Sequence, residues 1–289
     1  MKKYKQFLLE NVYNNELDYY AFDWDDNILM MNTMLHLDKM VDGEWTPVDV
    51  STSDFTDIRK YITQWKENKE SKDNLWRYRN GDPEQTFIEF RDYGPRGKNA
   101  FLEDVILTIR KNNFGPSWYK FMECLIGGNI FAIITARGHE PESIRNAVEW
   151  IIYHVLNTSE KKEMENNLKE FNKLFQIETK NKNFNQLVNK YLDLCEFVGI
   201  SSSYFRRKYR YEGQTVNPEN GKKIVIRDFV KRITEYGKLL NKKVNVGFSD
   251  DDKSTVDHVH SFMRDELSLD FPIGYHVYYT KDGIKKIPF

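Results

Sequence analysis

Three short apolar runs, each stopping at a polar side chain, constrain the fold of this chain more than any other feature. Tyr19 to Phe22 stops at Asp23, Ile130 to Ile134 stops at Thr135, and Val244 to Phe248 stops at Ser249 and Asp250. Continuous apolar runs of this length, with helical patterns around them, predict strands buried on both faces in a parallel sheet covered by helices. Such sheets bind ligands beyond the carboxyl ends of their strands. All three polar stops stand at that end, so one crevice can hold them together.

The helices are legible from their punctuation. Pro116 to Leu125 leads into the second strand through Gly127 and Gly128, a helix stop. Pro141 sits in the first turn of a helix running through Ala147, Val148 and Ile151. Ile224 to Leu240 carries Ile226, Phe229, Val230 and Ile233 at the spacing of one helical face. Two long intervals look like insertions covering the crevice. Met31 to Asn99 contains a hairpin, Leu35 to Val50 turning at Asp42-Gly43, and helical pieces around Ile58 to Trp65. Asn157 to Phe175 is highly charged and reads as helix. The Asn/Lys-rich stretch Lys180 to Asn185 then leads into a further helix over Leu187 to Phe197.

A chain of 289 residues with 40% hydrophobic and 30% charged side chains is globular rather than disordered. Its formal net charge of −1 provides no global field toward nucleic acid or a membrane surface, so any such contact must be local. Cys124 and Cys195 lie far apart, form no metal-spacing motif and point to a reducing compartment. The apolar run in the opening MKKYKQFLLENVYNN is too short for a signal sequence, and no stretch approaches a membrane span. These features make a cytoplasmic location the expectation.

The chemistry concentrates in YYAFDWDDNIL, residues 19–29, where the first strand opens onto Asp23, Asp25 and Asp26. Carboxylates this close repel one another unless a cation or a proton relieves them. Oxygen-only ligands suit a hard ion such as Mg²⁺. An Asp at a strand end can attack phosphorus as a nucleophile. A second carboxyl two residues on, on the same side of an extended segment, can protonate a leaving oxygen and then activate water. A hydroxyl and a Lys would orient and neutralise the phosphoryl group, and a further Asp would complete the metal site.

This ordered set resembles the haloacid dehalogenase-like (HAD) superfamily. Its first motif matches Asp23-Trp24-Asp25-Asp26-Asn27, its second Ile133-Ile134-Thr135-Ala136-Arg137-Gly138, and its fourth Gly247-Phe248-Ser249-Asp250-Asp251-Asp252. The third, a Lys at the start of the helix before the last strand, is best matched by Lys223, with Lys222 close behind. The arrangement also looks like HAD proteins of tailed bacteriophages. The resemblance implies an α/β fold, a Rossmann-like parallel sheet sandwiched by helices with inserted caps. Residues 1–30, 101–156 and 221–289 would form the core, 31–100 one cap and 157–220 a mostly helical second insertion. It further implies Asp23 as nucleophile, Asp25 as general acid/base, and Thr135 and Lys223 as holders of the phosphoryl oxygens. Mg²⁺ would be bound by Asp23, by Asp25 through its backbone carbonyl and by Asp250, with Asp251 or Asp252 supporting through water. Asp26 replaces the common Gly and Asn27 the common Thr, both short turn-formers. Asn27 and Arg137 are candidate substrate contacts, and Trp24 is a candidate wall of the site.

The expected activity is Mg²⁺-dependent phosphomonoester hydrolysis through an aspartyl-phosphate. The segment Ser203 to Tyr211, SYFRRKYRY, interleaves basic and aromatic residues. Arg206, Arg207 and Arg210 there could engage a nucleotide or a nucleic-acid phosphate end. The same segment could instead be a half-exposed strand or a solvated face, and Arg137 could cap carbonyls rather than contact phosphate. His258 and His260 read as helix surface. Alternatives are a sugar or small-metabolite phosphatase, a phosphotransferase, and a non-catalytic binding protein on the same scaffold.

Overall fold

The first apolar run forms a central strand because both of its faces are apolar. In the computed structural model, which describes residues 16–64, 75–174, 182–214 and 216–289, strand β1 (Glu16–Phe22) pairs in parallel with a neighbour on each side. Its alternating side chains divide between two hydrophobic layers. Tyr20 and Phe22 join one, Tyr19 and Ala21 the other.

After β1 the chain leaves the sheet and builds a small α/β unit of its own. Strands β2 (Leu35–Val41) and β3 (Glu44–Val50) form the expected antiparallel hairpin. Its turn residues Asp42 and Gly43 have φ of 51° and 84°, the left-handed pair that a two-residue hairpin requires. Helix α1 (Thr52–Gln64) and strand β4 (Trp76–Tyr78) complete the unit. Leu35, Leu37, Val50, Ile62 and Phe90 form a third hydrophobic cluster, separate from the two layers of the main sheet. This unit occupies the interval between the first two strand ends, where a cap was expected.

The chain then returns to the main layers through α2 (Ala100–Arg110), α3 (Trp118–Gly127), β5 (Phe131–Thr135), α4 (Pro141–His154), α5 (Thr158–Leu174), α6 (Phe184–Leu194) and β6 (Glu196–Gly199). It finishes with α7 (Ser203–Tyr209), α8 (Pro218–Leu240), β7 (Lys243–Asp250), α9 (Lys253–Phe262), β8 (Gly274–Tyr279) and β9 (Lys285–Ile287). The sheet order is β6-β5-β1-β7-β8-β9, parallel except for β9. The fold is therefore α/β with a mostly parallel sheet flanked by helices, consistent with a Rossmann-like architecture. The strand order reverses about β1, with β5 and β6 on one side and β7 reached afterwards on the other. That reversal opens the crevice at the strand ends.

Four expectations change. The segment 157–220 is not a second cap. Met164 and Leu168 of α5 and Leu187, Val188, Tyr191 and Leu192 of α6 pack in one layer with Phe131, and β6 pairs with β5. The helix expected through Phe197 stops at Leu194, and Phe197 belongs to β6. A four-residue strand following a helix directly, with no Gly or Pro between, continues the apolar spacing and hides the boundary. SYFRRKYRY is helical over most of its length because Ser202 caps it, accepting a hydrogen bond from the Phe205 N–H at 3.1 Å. Helix α8 starts at Pro218 rather than Ile224, with the Asn217 side chain accepting from Glu219 N–H at 2.8 Å. Trp65, Phe175 and residues 180–181 lie outside the described residues. Among the described residues, no helix is long and apolar enough to cross a membrane.

Candidate functional site

The carboxyl ends of β1, β5 and β7 bring Asp23, Thr135 and Asp250 together, although they stand far apart in sequence. Tyr19 to Phe22 pair in register with Val246 to Ser249, and Asp23 N–H continues the ladder to Ser249 O at 3.0 Å. Past that point the chain stays extended long enough to send successive side chains to opposite sides. Trp24 turns into the core against Phe101 and Phe121 and is completely buried, so it does not wall the site. Asp23 and Asp25 turn the other way. Asp26 has φ of 54°, taking the left-handed conformation that Gly commonly supplies, and it shapes the turn as expected.

Asn27 is a brace rather than a substrate contact. Its amide donates to Asp23 O at 3.0 Å and Ser249 O at 3.2 Å, and its Oδ1 accepts from Ser117 at 2.7 Å and Thr280 at 2.9 Å. The residue is wholly buried and its bonding capacity is engaged. Gly115 lets this bracing loop close up, since a Cβ there would fall 2.4 Å from Asn27 O.

The buried lysine is Lys222, not Lys223. Lys222 Nζ donates to Asp23 Oδ1 and Asp250 Oδ2, each at 2.6 Å. Lys223 is half-buried one position round the helix, its ammonium 5.8 Å from the centre of the Phe262 ring. Helical geometry explains the choice. Lys222 lies four residues before Ile226 and seven before Phe229, on the buried stripe of α8, and Lys223 lies off it. Gly221 allows the helix to seat there, because a Cβ would meet Ile200 Cγ2 at 2.2 Å.

Asp23, Asp250 and Asp251 each present a carboxylate oxygen within 4.8 Å of the others, and form the group of this kind found among the described residues. Three carboxylates against one ammonium leave two net negative charges, the complement of a divalent cation. The donors are all oxygen, which fits a hard ion such as Mg²⁺. Asp252 stands outside this group. It caps α9, accepting from Ser254 N–H at 3.1 Å, and pairs with Arg59 of α1 at 2.8 Å. Thr52, at the start of α1, donates to Asp26 Oδ2 at 2.6 Å, so the small α/β unit touches the acidic loops directly.

Burial governs the titration of the cluster. It raises Asp23 well above the usual carboxylate range, Lys222 opposing and the neighbouring carboxylates adding. Asp250 is raised for the same first reason. Asp251 is pushed up to about 8 by burial and by Asp250 and Asp26. Burial alone would lower Lys222, but Asp23 and Asp250 outweigh it and hold the ammonium above its ordinary range. Unfolded carboxyls release their proton near pH ~4. Between there and about 8 the folded, metal-free protein retains protons that the unfolded chain has lost. Its stability therefore falls as pH rises through that window. The midpoint of thermal unfolding in chelator should fall from pH 5 to pH 8. Mg²⁺ at a hundredfold excess over Kd should restore roughly 4–5 °C at pH 8 and much less at pH 5. A midpoint indifferent to both pH and Mg²⁺ would rule out the cluster as a cation site.

Arg137 is neither a carbonyl cap nor an open phosphate contact. Its Nε and Nη2 donate to Asp25 Oδ2 and Oδ1 at 2.8 and 2.7 Å. Thr135 Oγ lies 3.4 Å from the same carboxylate, and both Thr135 and Arg137 are buried. The Asp25 side chain thus sits outside the carboxylate trio, facing Arg137.

Arg206, Arg207 and Arg210 are on or next to α7, which rises from the end of β6. Ile200 N–H, just past that strand, donates to Thr135 O at 2.8 Å, placing this edge beside the crevice. No ion pair or hydrogen bond joins the three arginines to the carboxylate cluster. Much of the local charge is balanced nearby, with Lys208 3.2 Å from Glu196 and Arg207 3.8 Å from Glu140. His258 and His260 lie on the outer part of α9, as expected, bonded to Ser254 O and Pro288 O. Comparison with protein-family models, with curated proteins and with solved structures returns no match.

Proposed function

We propose that the chain is a Mg²⁺-dependent phosphomonoester hydrolase of the HAD superfamily, acting through an aspartyl-phosphate on Asp23. The observation that carries this reading is the convergence of Asp23, Lys222, Asp250 and Asp251 at the end of a central parallel strand, three carboxyls that carry two negative charges beyond the ammonium when ionised. The second motif's Thr135 and the first motif's Asp25 lie beside it. Mg²⁺ would be held by Asp23, Asp250 and Asp251, where it supplies charge neutralisation for the transferring phosphoryl group.

The remaining chemistry belongs to side chains. An Asp23 oxygen attacks phosphorus while the bond to the leaving oxygen breaks, and Asp25 gives that oxygen its proton. Water then attacks the aspartyl-phosphate, Asp25 takes the water proton, and the electron pair of the breaking bond returns to Asp23. Lys222 offsets the negative charge gathered on the nucleophile and the phosphoryl oxygens, and the Thr135 hydroxyl orients them. The cap seated on Asp26 and Asp252 limits access of bulk water.

The substrate we favour is a nucleotide or a nucleic-acid phosphate end, because Arg206 on α7 and Arg210 at its C-cap follow the β6 edge that pairs beside Thr135, and among the described residues neither is in an ion pair. A panel of sugar phosphates, nucleotides and 3′- or 5′-phosphorylated oligonucleotides, assayed with Mg²⁺ and with chelator, tests the proposal. Turnover should require Mg²⁺. Equal or better turnover of sugar phosphates would overturn the nucleic-acid assignment, and added alcohol acceptors that capture phosphate would identify a phosphotransferase.

A further inference from the structure

The acid/base carboxyl does not stand alone at the end of its strand. Arg137 grips both Asp25 oxygens in a fork. Its Nη2 also donates to Thr33 Oγ at 3.0 Å. Thr33 in turn donates to Asp104 Oδ2 at 2.9 Å, and Asp104 Oδ1 receives Arg96 Nη2 at 2.8 Å. Phe90 and Phe101 flank the guanidinium, their ring centres 4.4 and 5.3 Å away. Arg137, Thr33 and Asp104 are buried, whereas Arg96 reaches solvent. With Asp25 ionised, as it is when it takes the proton of the attacking water, the row's two arginines and two aspartates carry no net charge. Its buried members are tied to one another by charge-assisted bonds, which are short and directional.

Its anchorage is spread over the molecule. Asp25 and Thr33 come from the segment after β1, Arg137 from the loop after β5, Asp104 from α2, and Arg96 from the chain ahead of α2. Phe90 adds the base of the cap. A guanidinium held on three sides has almost no freedom to swing away. The side chain it grips is the one the proposed reaction needs within reach of the leaving oxygen and of the attacking water. Misplacement of such a group by about 1 Å can cost on the order of 10²-fold in rate.

We infer that Arg137, Thr33 and Asp104 form a positioning relay that fixes the direction of the Asp25 carboxyl. The inference rests on the phosphatase reading above. None of the three touches substrate; each acts through its neighbour. The relay therefore matters in proportion to how much help the leaving group needs. Alkyl phosphates, whose alkoxide departs only with a proton, depend on Asp25 placement in both steps. Aryl phosphates with acidic phenols depend on it mainly when water attacks.

Thr33→Val keeps the shape and removes the hydroxyl that joins Arg137 to Asp104. Arg137→Lys keeps the charge and removes the fork. Wild type and both variants would be compared on an alkyl phosphate and on p-nitrophenyl phosphate, with kcat and KM measured separately and thermal midpoints alongside. Thr33→Val should lower kcat on the alkyl phosphate about tenfold and Arg137→Lys about 10²-fold. KM should stay within about twofold, and the losses on p-nitrophenyl phosphate should be several-fold smaller. If Arg137→Lys does not fold, Thr33→Val alone decides the matter. Equal losses of kcat/KM on the two substrates, a ratio that reports only the steps through aspartyl-phosphate formation, losses in KM alone, or no loss would overturn the relay while leaving the phosphatase reading in place. Failure of the wild type to release phosphate from any substrate in Mg²⁺ would overturn that reading and the relay with it.

Discussion

Asp23→Asn is expected to lower Mg²⁺-dependent phosphate release by about 10⁴-fold or more, the scale on which loss of a covalent nucleophile acts. An amide at this position has nearly the same shape but offers no oxygen able to form the acyl phosphate. The stability of the variant should move the opposite way. Asp23 is a buried carboxyl raised well above its usual range, so its ionised form destabilises the metal-free fold at pH 8. The amide removes that term and lowers the net negative charge of the cluster from two to one. The variant should thus melt higher than wild type in chelator at pH 8 and gain less from Mg²⁺. A second readout is covalent. Wild-type protein mixed with a labelled substrate and quenched in acid should carry a hydroxylamine-sensitive phosphate that Asp23→Asn lacks. Retained turnover in the variant would remove Asp23 from the chemistry, and retained ligand binding without turnover in either protein would favour a binding protein on this scaffold.

The strand ends were legible in the sequence because they break a rule of burial. An acid following a run such as Tyr19 to Phe22 is costly unless something compensates it, and the same reasoning located Thr135 and Asp250. The hairpin at Asp42-Gly43 was legible from turn chemistry, which is local. What escaped depended on partners distant in sequence. Asn27 looked available for substrate, yet Ser117, Ser249 and Thr280 consume its hydrogen bonds. Arg137 looked like a phosphate contact until Asp25, Thr33, Phe90 and Phe101 closed around it. The β6 strand was hidden by its brevity, and with it the fact that α5 and α6 cover the sheet rather than the crevice. Thr33 and Asp104 carried no signal, since an isolated Thr and a helix Asp are ordinary surface residues until the fold buries them. The choice between Lys222 and Lys223 was within reach, because extending the Ile226, Phe229, Val230 and Ile233 stripe by one turn toward the helix start selects Lys222.

That choice sets the second large effect. Lys222→Met should destabilise the metal-free protein by about 3–5 kcal/mol at pH 8, the usual consequence of removing one partner from a buried ion pair. Asp23 and Asp250 lose the ammonium that each accepts at 2.6 Å, and both carboxylates are buried with no other cation in contact among the described residues. For a chain of this size the thermal midpoint should fall by roughly 5–8 °C. The deficit should shrink at pH 5, where the raised carboxyls hold their protons and need no counter-charge. The lysine itself stays charged throughout this range. Its folded-state value is raised, so its contribution is complete below the ordinary lysine value and is lost only as pH climbs through the folded one. Mg²⁺ should recover part of the deficit at pH 8, since it supplies positive charge to the same carboxylates. Turnover should remain depressed even at saturating Mg²⁺, because no other cation offsets charge at the nucleophile from that side. Lys223→Met is the control. Among the described residues its ammonium reaches only the Phe262 ring, and its removal should change stability by no more than about 0.5 kcal/mol and leave turnover near that of wild type. Thermal melts of the two variants at pH 5 and pH 8, with and without Mg²⁺, separate them. A large loss in Lys223→Met with little change in Lys222→Met would reverse the assignment and remove Lys222 from the site.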